Sequence, residues 1–127
     1  QKVLKNDLKN VLILDFQEDI HNYFQIFDCL IFPSFYEGLP LTLLEAISHK
    51  VPTITSNIDG HRGVLTDLSS TISFSPNEPD SLVQGIQFFL DNKSTVEQYV
   101  ENAYKRYLDN FNWMDVLSFY DNLLANK

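Results

Sequence analysis

Cysteine is nearly absent from this chain, with Cys29 the one thiol in 127 residues. A single thiol closes no internal disulfide, and its setting in the apolar run Cys29-Leu30-Ile31-Phe32 marks a buried, reduced side chain instead of a nucleophile. Basic residues are also scarce, nine Lys and Arg against seventeen Asp and Glu, for a net charge of −8. That balance argues against nucleic acid or an anionic membrane surface as a partner of this piece. No apolar run approaches the roughly 20 residues of a membrane-spanning helix, and the start Gln1-Lys2-Val3 does not read as a signal peptide, so no membrane contact and a cytoplasmic location are expected. Its four glycines make neither a GxGxxG nor a GxxxxGK[ST] phosphate loop, which removes dinucleotide oxidoreductases and P-loop enzymes. His21, His49 and His61 lie far apart and no cysteine pair accompanies them, so neither a metal nor a cofactor is expected. Nucleophilic triads lack support as well, because Ser34 reads as a loop-capping hydroxyl and no histidine is placed by sequence to reach it.

What the chain does have is apolar patterning, over a length that suits one domain with a single layered core. Leu4 and Leu8, four apart, fit the end of a helix in residues 1–9, and the chain is expected to start mid-domain. Val11, Leu12, Ile13 and Leu14 form a continuous run of the kind buried on both faces of a parallel sheet, a first strand. Ile20, Tyr23, Phe24 and Phe27 then recur at helical spacing, with Asp19 placed to cap and His21 on the solvated side. Residues 29–32 read as a second strand and residues 52–55 as a third, with Pro52 at its first position, where proline is tolerated. Residues 57–63 read as a loop with turn chemistry at Asp59-Gly60. Residues 71–74 read as a short fourth strand at the sheet edge. Helices are expected from Asp80-Ser81 through Leu90, over about residues 94–110 and over about residues 113–124, their aromatics serving as core. The fold class is α/β: a Rossmann-like parallel sheet of about four strands, flanking helices and a helical carboxyl-terminal end.

Between the second strand and the next helix runs Phe32-Pro33-Ser34-Phe35-Tyr36-Glu37-Gly38-Leu39-Pro40-Leu41-Thr42-Leu43-Leu44-Glu45-Ala46. In open α/β sheets ligands bind at the carboxyl ends of the strands, where this stretch lies. Gly38 lets the backbone come close to a ligand, and Pro40 suits the last loop residue or first helical turn, where a missing N–H costs nothing. From Leu41 to Ile47 the helix is apolar almost all round, yet it carries Glu45 one turn in, which should lean back toward Glu37 and the free first-turn amides. Those amides and the helix dipole favour an anion, whereas two carboxylates accept hydrogen bonds from hydroxyls. Phosphate beside polyol describes a nucleotide-sugar.

Pro33-Ser34, Glu37-Gly38, Pro40 and Leu44-Glu45-Ala46, followed by Val51-Pro52-Thr53-Ile54, resemble the donor-binding signature of retaining glycosyltransferases of family four, which have the GT-B fold. The resemblance continues through Phe111-Asn112-Trp113. It implies that residues 1–127 are part of the carboxyl-terminal, nucleotide-sugar-binding domain of such an enzyme. By this resemblance Glu37 is the catalytic carboxylate on the donor sugar's hydroxyls, and Gly38, Leu39, Pro40 and Leu41 line the sugar and diphosphate. Thr42 reaches phosphate, and Glu45 binds the ribose. Where the family has a Gly-rich turn and a glutamate, this chain has His61-Arg62 and then Gly63, a departure from the family pattern, and Arg62 is a candidate phosphate contact only from its place at the ligand edge of the sheet. The family's basic diphosphate residues and its acceptor site lie ahead of this stretch. The implied partners are therefore a nucleotide-sugar donor, an amino-terminal domain and an acceptor, and the chain alone should be inactive. The expected function is sugar transfer in glycan or surface polysaccharide synthesis. The alternative is a non-catalytic binding or interaction module of the same fold, while an epimerase of that fold is opposed by the Glu37 to Glu45 pattern.

In the family's doubly wound order, two strands would stand between residues 11–14 and 29–32. The first strand is therefore expected to pair directly with the second, giving four parallel strands, and the fragment is expected to self-associate through its unpaired edges.

Overall fold

The computed structural model describes residues 10–65, 69–111 and 113–125. A short helix α1 (His21–Phe24) leads into strand β1 (Leu30–Phe32), helix α2 (Leu41–Ser48), strand β2 (Thr53–Ser56), helix α3 (Asp59–Leu65) and strand β3 (Ile72–Phe74). Three helices close the chain: α4 (Pro79–Asp91), α5 (Lys93–Asn110) and α6 (Trp113–Ala125). All pairing is parallel, in the order β1-β2-β3, with Ile31 opposite Ile54 and Ile54 opposite Ile72. β2 is central and buried at every residue, as expected of a strand covered on both faces.

On one side of the sheet α4 lies over β3 and β2, packing Leu82, Ile86 and Phe89 with Ile54, Ile72, Phe74 and Val96. Gly85 permits this approach, since a Cβ there would stand 3.2 Å from an Ile72 methyl. Leu43, Leu44 and Ile47 of α2 form a second cluster with Val64 and Leu65 of α3 and Ala103 of α5, against Phe32. A third joins Phe24 of α1 to Ala46 and Val51. Buried polar groups between strands are satisfied locally: the Thr71 hydroxyl donates to the Thr53 carbonyl at 3.0 Å and lies 3.1 Å from the Thr53 hydroxyl.

α2 ends with Lys50 in the left-handed region at φ 56. The Val51 amide donates back to Ala46 and the Lys50 amide to Ile47, the paired bonds of a Schellman turn. A non-glycine residue there is strained by about 1–2 kcal/mol, and α5 holds it: Lys50 Nζ bonds Glu101 at 2.8 Å and sits 4.6 Å from the Tyr104 ring centre.

The α/β parallel sheet stands as expected, but with three strands among the described residues instead of about four. Residues 11–14 form no strand and do not pair with β1; all four side chains are exposed, Leu12 at 81%. An apolar, β-branched run shows that a segment favours burial, not that a neighbour is there to cover it. The loop expected at 57–63 is also corrected, because most of it lies in helix α3. His61, Val64 and Leu65 are all buried at i, i+3 and i+4 spacing, a helical stripe concealed by counting histidine as polar. Arg106 of α5 completes that helix by donating to the carbonyls of Gly63 and Val64 at its last turn. α1 is shorter than the spacing through Phe27 suggests, and Ile20, not Asp19, stands at its cap. Strand bounds shift by a residue, since the Pro52 carbonyl accepts from Leu30 before β2 begins. The expected helix end with Leu4 and Leu8 lies outside the described residues.

Within α2, Leu43 is fully buried while Leu41 is 62% exposed. Leu43→Ala should therefore cost about 2–5 kcal/mol, and Leu41→Ala only about 0.5 kcal/mol or less. Paired urea titrations check the contrast, and equal losses would contradict this placement of the helix.

Candidate functional site

β1 ends at Phe32, and the chain leaves the sheet through residues 33–40 before α2 begins. The Ser34 hydroxyl donates to Glu37 Oε1 at 2.6 Å, so the half-buried carboxylate is held by its own loop. Gly38 is exposed, its φ is not positive, and a Cβ there would meet nothing within 4 Å. The loop is open on that side. Leu39 and Leu41 are exposed, as is Thr42, whereas Pro40 is buried and occupies the N-cap of α2 at φ −78.

That helix start carries no side-chain cap and no acidic residue in its first turn. Leu41 donates to Leu39, and Leu43 and Leu44 both donate to Pro40. This pattern leaves the Thr42 amide as the first-turn donor without a protein acceptor among the described residues. The positive end of the helix dipole is thus not offset by a first-turn acid. Glu45, half-buried one turn on, makes no side-chain hydrogen bond or ion pair among the described residues. The partner expected for it is not a protein group there.

A second segment closes on the loop from the end of β2. Ser56, fully buried, donates its hydroxyl to the Ser34 carbonyl at 2.6 Å, with the Phe32 carbonyl at 3.3 Å. His61 Nδ1 lies 2.8 Å from the Ser56 carbonyl; a carbonyl only accepts, so Nδ1 carries the proton. The imidazole is 2% exposed, its centre is 5.0 Å from that of Phe32, and its Nε2 is buried without a partner among the described residues. Gly60 rests directly on the loop, for a Cβ there would lie 2.3 Å from the Glu37 carbonyl oxygen and 2.9 Å from Glu37 Cβ. The sequence signals only a turn at Asp59-Gly60; nothing in it reveals that Gly60, Ser56 and His61 lock the Glu37 loop.

Between the two segments lies a cleft of about 280 Å³ lined by Glu37, Tyr36, Phe35, Asn57, Gly60 and Arg62, among others. Past Phe35, Asn57 and Ile58 it adjoins an open groove of about 770 Å³ between β3 and α4. Arg62 shares the Glu37 cleft, but from helix α3, and it pairs with Asp59 while donating to Asn57 Oδ1 at 2.6 Å. Gly38, Leu39, Pro40, Leu41, Thr42 and Glu45 are not on the walls of either recess. The structure thus brings Glu37 together with Arg62 and presents the α2 start beside them in sequence.

Cys29 is half-buried, and burial first and the Asp28 charge second push its thiol up to about 11, with a backbone hydrogen bond at Ile54 opposing them. At neutral pH it is a protonated thiol, not a nucleophile. Among the described residues no three His, Cys, Asp or Glu side chains gather as a metal-holding group, and no helix is long and apolar enough to cross a membrane.

The model of the family described as glycosyl transferases group 1 matches residues 2–106. Over 123 residues the chain is 28% identical to an Escherichia coli UDP-Gal:alpha-D-GlcNAc-diphosphoundecaprenol alpha-1,3-galactosyltransferase, covering 94% of this chain and 32% of that protein. It is 40% identical over 70 residues to the putative glycosyltransferase EpsF of Bacillus subtilis, covering 51% of this chain and 18% of the relative. A solved glycosyltransferase from Rickettsia africae superposes with a TM-score of 0.78 at 24% identity, over 98% of this chain and 35% of that one. The chain therefore spans about a third or less of the length of these relatives.

The contact of Gly60 with Glu37 is backbone against backbone, so an added methyl group has no flexible neighbour to displace. Gly60→Ala should destabilise the chain by about 1–3 kcal/mol and shift the Glu37 amide in an NMR spectrum. An unchanged melting temperature with an unmoved Glu37 signal would show that the loop does not rest on α3.

Proposed function

The chain belongs to the glycosyl transferases group 1 family, and from that premise we propose that it is the donor-binding part of a retaining glycosyltransferase of family four. In this reading the whole protein moves a sugar from a nucleotide-sugar to an acceptor in glycan or surface polysaccharide synthesis. The observation that carries it is the pairing of a held carboxylate with an uncapped helix start. Glu37 is fixed by the Ser34 hydroxyl, and the first turn of α2 behind it has neither a side-chain cap nor an acid. A carboxylate accepts from sugar hydroxyls, while the free Thr42 amide and the helix dipole favour a diphosphate.

Breaking the bond between sugar C1 and the diphosphate builds negative charge on the leaving oxygens and positive charge on the ring. Fixed dipoles at the amides of Gly38, Leu39 and Thr42 stabilise the first, since Pro40 has no N–H and the Leu41 amide is taken by Leu39, and the carboxylate of Glu37 orients the sugar that bears the second. Glu45, which has no protein partner among the described residues, is free to accept from the ribose hydroxyls. Arg62 is a phosphate contact only after leaving Asp59, so it is the least prepared of these groups. The galactosyltransferase named above makes UDP-galactose the first donor to test.

In the full-length protein, Glu37→Ala should lower turnover far more than affinity for UDP, because its contact is with the reacting sugar. Glu45→Ala should instead weaken UDP binding by about 1.5–3 kcal/mol, the scale of a lost hydrogen bond to a charged group. Calorimetry with UDP and donor-consumption assays over a panel of nucleotide-sugars separate the two; unchanged UDP affinity removes Glu45 from the ribose. Residues 1–127 expressed alone should bind donor weakly at best and release no product, and measurable turnover by that piece would overturn the division of labour.

A further inference from the structure

We propose that Ser34 and His61 are positioning residues for Glu37: Ser34 holds one carboxylate oxygen, and His61, through Ser56, fixes the backbone of the loop from which Ser34 reaches it. The proposal rests on the reading of Glu37 as the sugar-contacting group and adds how that group is aimed. Each link has one donor and one acceptor. His61 Nδ1 donates to the Ser56 carbonyl at 2.8 Å, the Ser56 hydroxyl to the Ser34 carbonyl at 2.6 Å, and the Ser34 hydroxyl to Glu37 Oε1 at 2.6 Å. A hydroxyl has a single hydrogen, so each serine is committed in one direction. With Oε1 held by Ser34, Oε2 is the oxygen whose lone pairs are all open to a sugar hydroxyl. Two further contacts hold the same loop: Gly60 against the Glu37 carbonyl, and the His61 ring against Phe32 at the end of β1.

The geometry of His61 favours this role over simple filling of space. Its ring is 2% exposed and leaves Nε2 buried and unpartnered among the described residues. An apolar side chain of similar volume would avoid that burden, which is of the order of 1–3 kcal/mol for a buried polar atom. The ring is therefore retained at a local cost, and what it supplies in return is the Nδ1 bond that fixes the Ser56 end of the chain. Ser34 is separable from stability altogether, since its side chain is half-buried and its removal deletes one hydroxyl.

The test uses the full-length protein with a panel of nucleotide-sugars beginning with UDP-galactose, and UDP alone for binding. Ser34→Ala should lower kcat on the order of 10- to 100-fold, the loss typical of a misplaced reacting group, with UDP affinity unchanged. Ser34→Thr, which keeps the hydroxyl, should restore most of it. His61→Leu should act in the same direction and shift the 13Cδ signal of Glu37. His61→Asn, whose amide nitrogen replaces Nδ1 as donor, should recover both. Should His61→Leu fail to fold by melting, the Ser34 pair still decides the matter. Full turnover in Ser34→Ala while Glu37→Gln is inactive overturns the positioning chain but leaves Glu37 in place. Full turnover in Glu37→Gln, or no donor consumed by the native protein, overturns the underlying reading and this inference together.

Discussion

Ser56 is the residue on which the site depends. It ends the central strand with no exposure, and a hydroxyl there must find its acceptor inside the protein. The acceptor it finds, the Ser34 carbonyl, belongs to the loop leaving the neighbouring strand, so satisfying one buried group fixes where the signature loop departs from the sheet. Its own carbonyl takes the His61 proton, which fixes the first turn of α3 against the same loop. The parallel register of β1 and β2 makes this possible by bringing both carboxyl ends to one edge of the sheet.

Charge is distributed in the same sense. A chain with net charge −8 repels a dianion at long range, yet the start of α2 is free of acid and Asp59 at the start of α3 is occupied by Arg62. Anion-favouring dipoles are thus left bare at one point and neutralised at the next. If the proposed diphosphate is the ligand, the Thr42 amide is the first-turn donor open to it.

Much of this was legible in the sequence, and the exceptions share a cause. Leu30 to Phe32, Thr53 to Ser56 and Ile72 to Phe74 announce strands because apolar and β-branched residues dominate each short run between turn residues, and Pro40 marks the helix start that follows β1. Residues 11–14 carry the same local signal but no partner in the sheet, since pairing is decided by what lies alongside and not by the run itself. α3 was hidden because its stripe begins with a histidine, and histidine becomes a core residue only when a carbonyl such as Ser56's takes its proton. The sequence marks Glu37 and Glu45 as candidates, whereas nothing in it marks Gly60 as the support of the Glu37 loop. Its meaning lies in a close backbone approach to Glu37 that leaves no room for a Cβ, between segments more than twenty residues apart, and a single sequence records such an approach only as a glycine.

The two carboxylates differ physically in a way that suits different tasks. Glu37 sits on a loop, where a free side chain would lose rotamer entropy on binding and sample many poses. The Ser34 bond and the Gly60 contact reduce that freedom beforehand, so little reorganisation would remain for the proposed sugar contact. Glu45 needs no such device, because α2 is pinned by fully buried Leu43 and Ala46 and its backbone is already rigid. Its carboxylate is unpaired among the described residues, so a hydroxyl it accepts there would replace water instead of a protein donor. Under the proposed roles, orientation is built at the carboxylate assigned to the reacting sugar, and hydrogen-bonding capacity is left open at the one assigned to affinity alone.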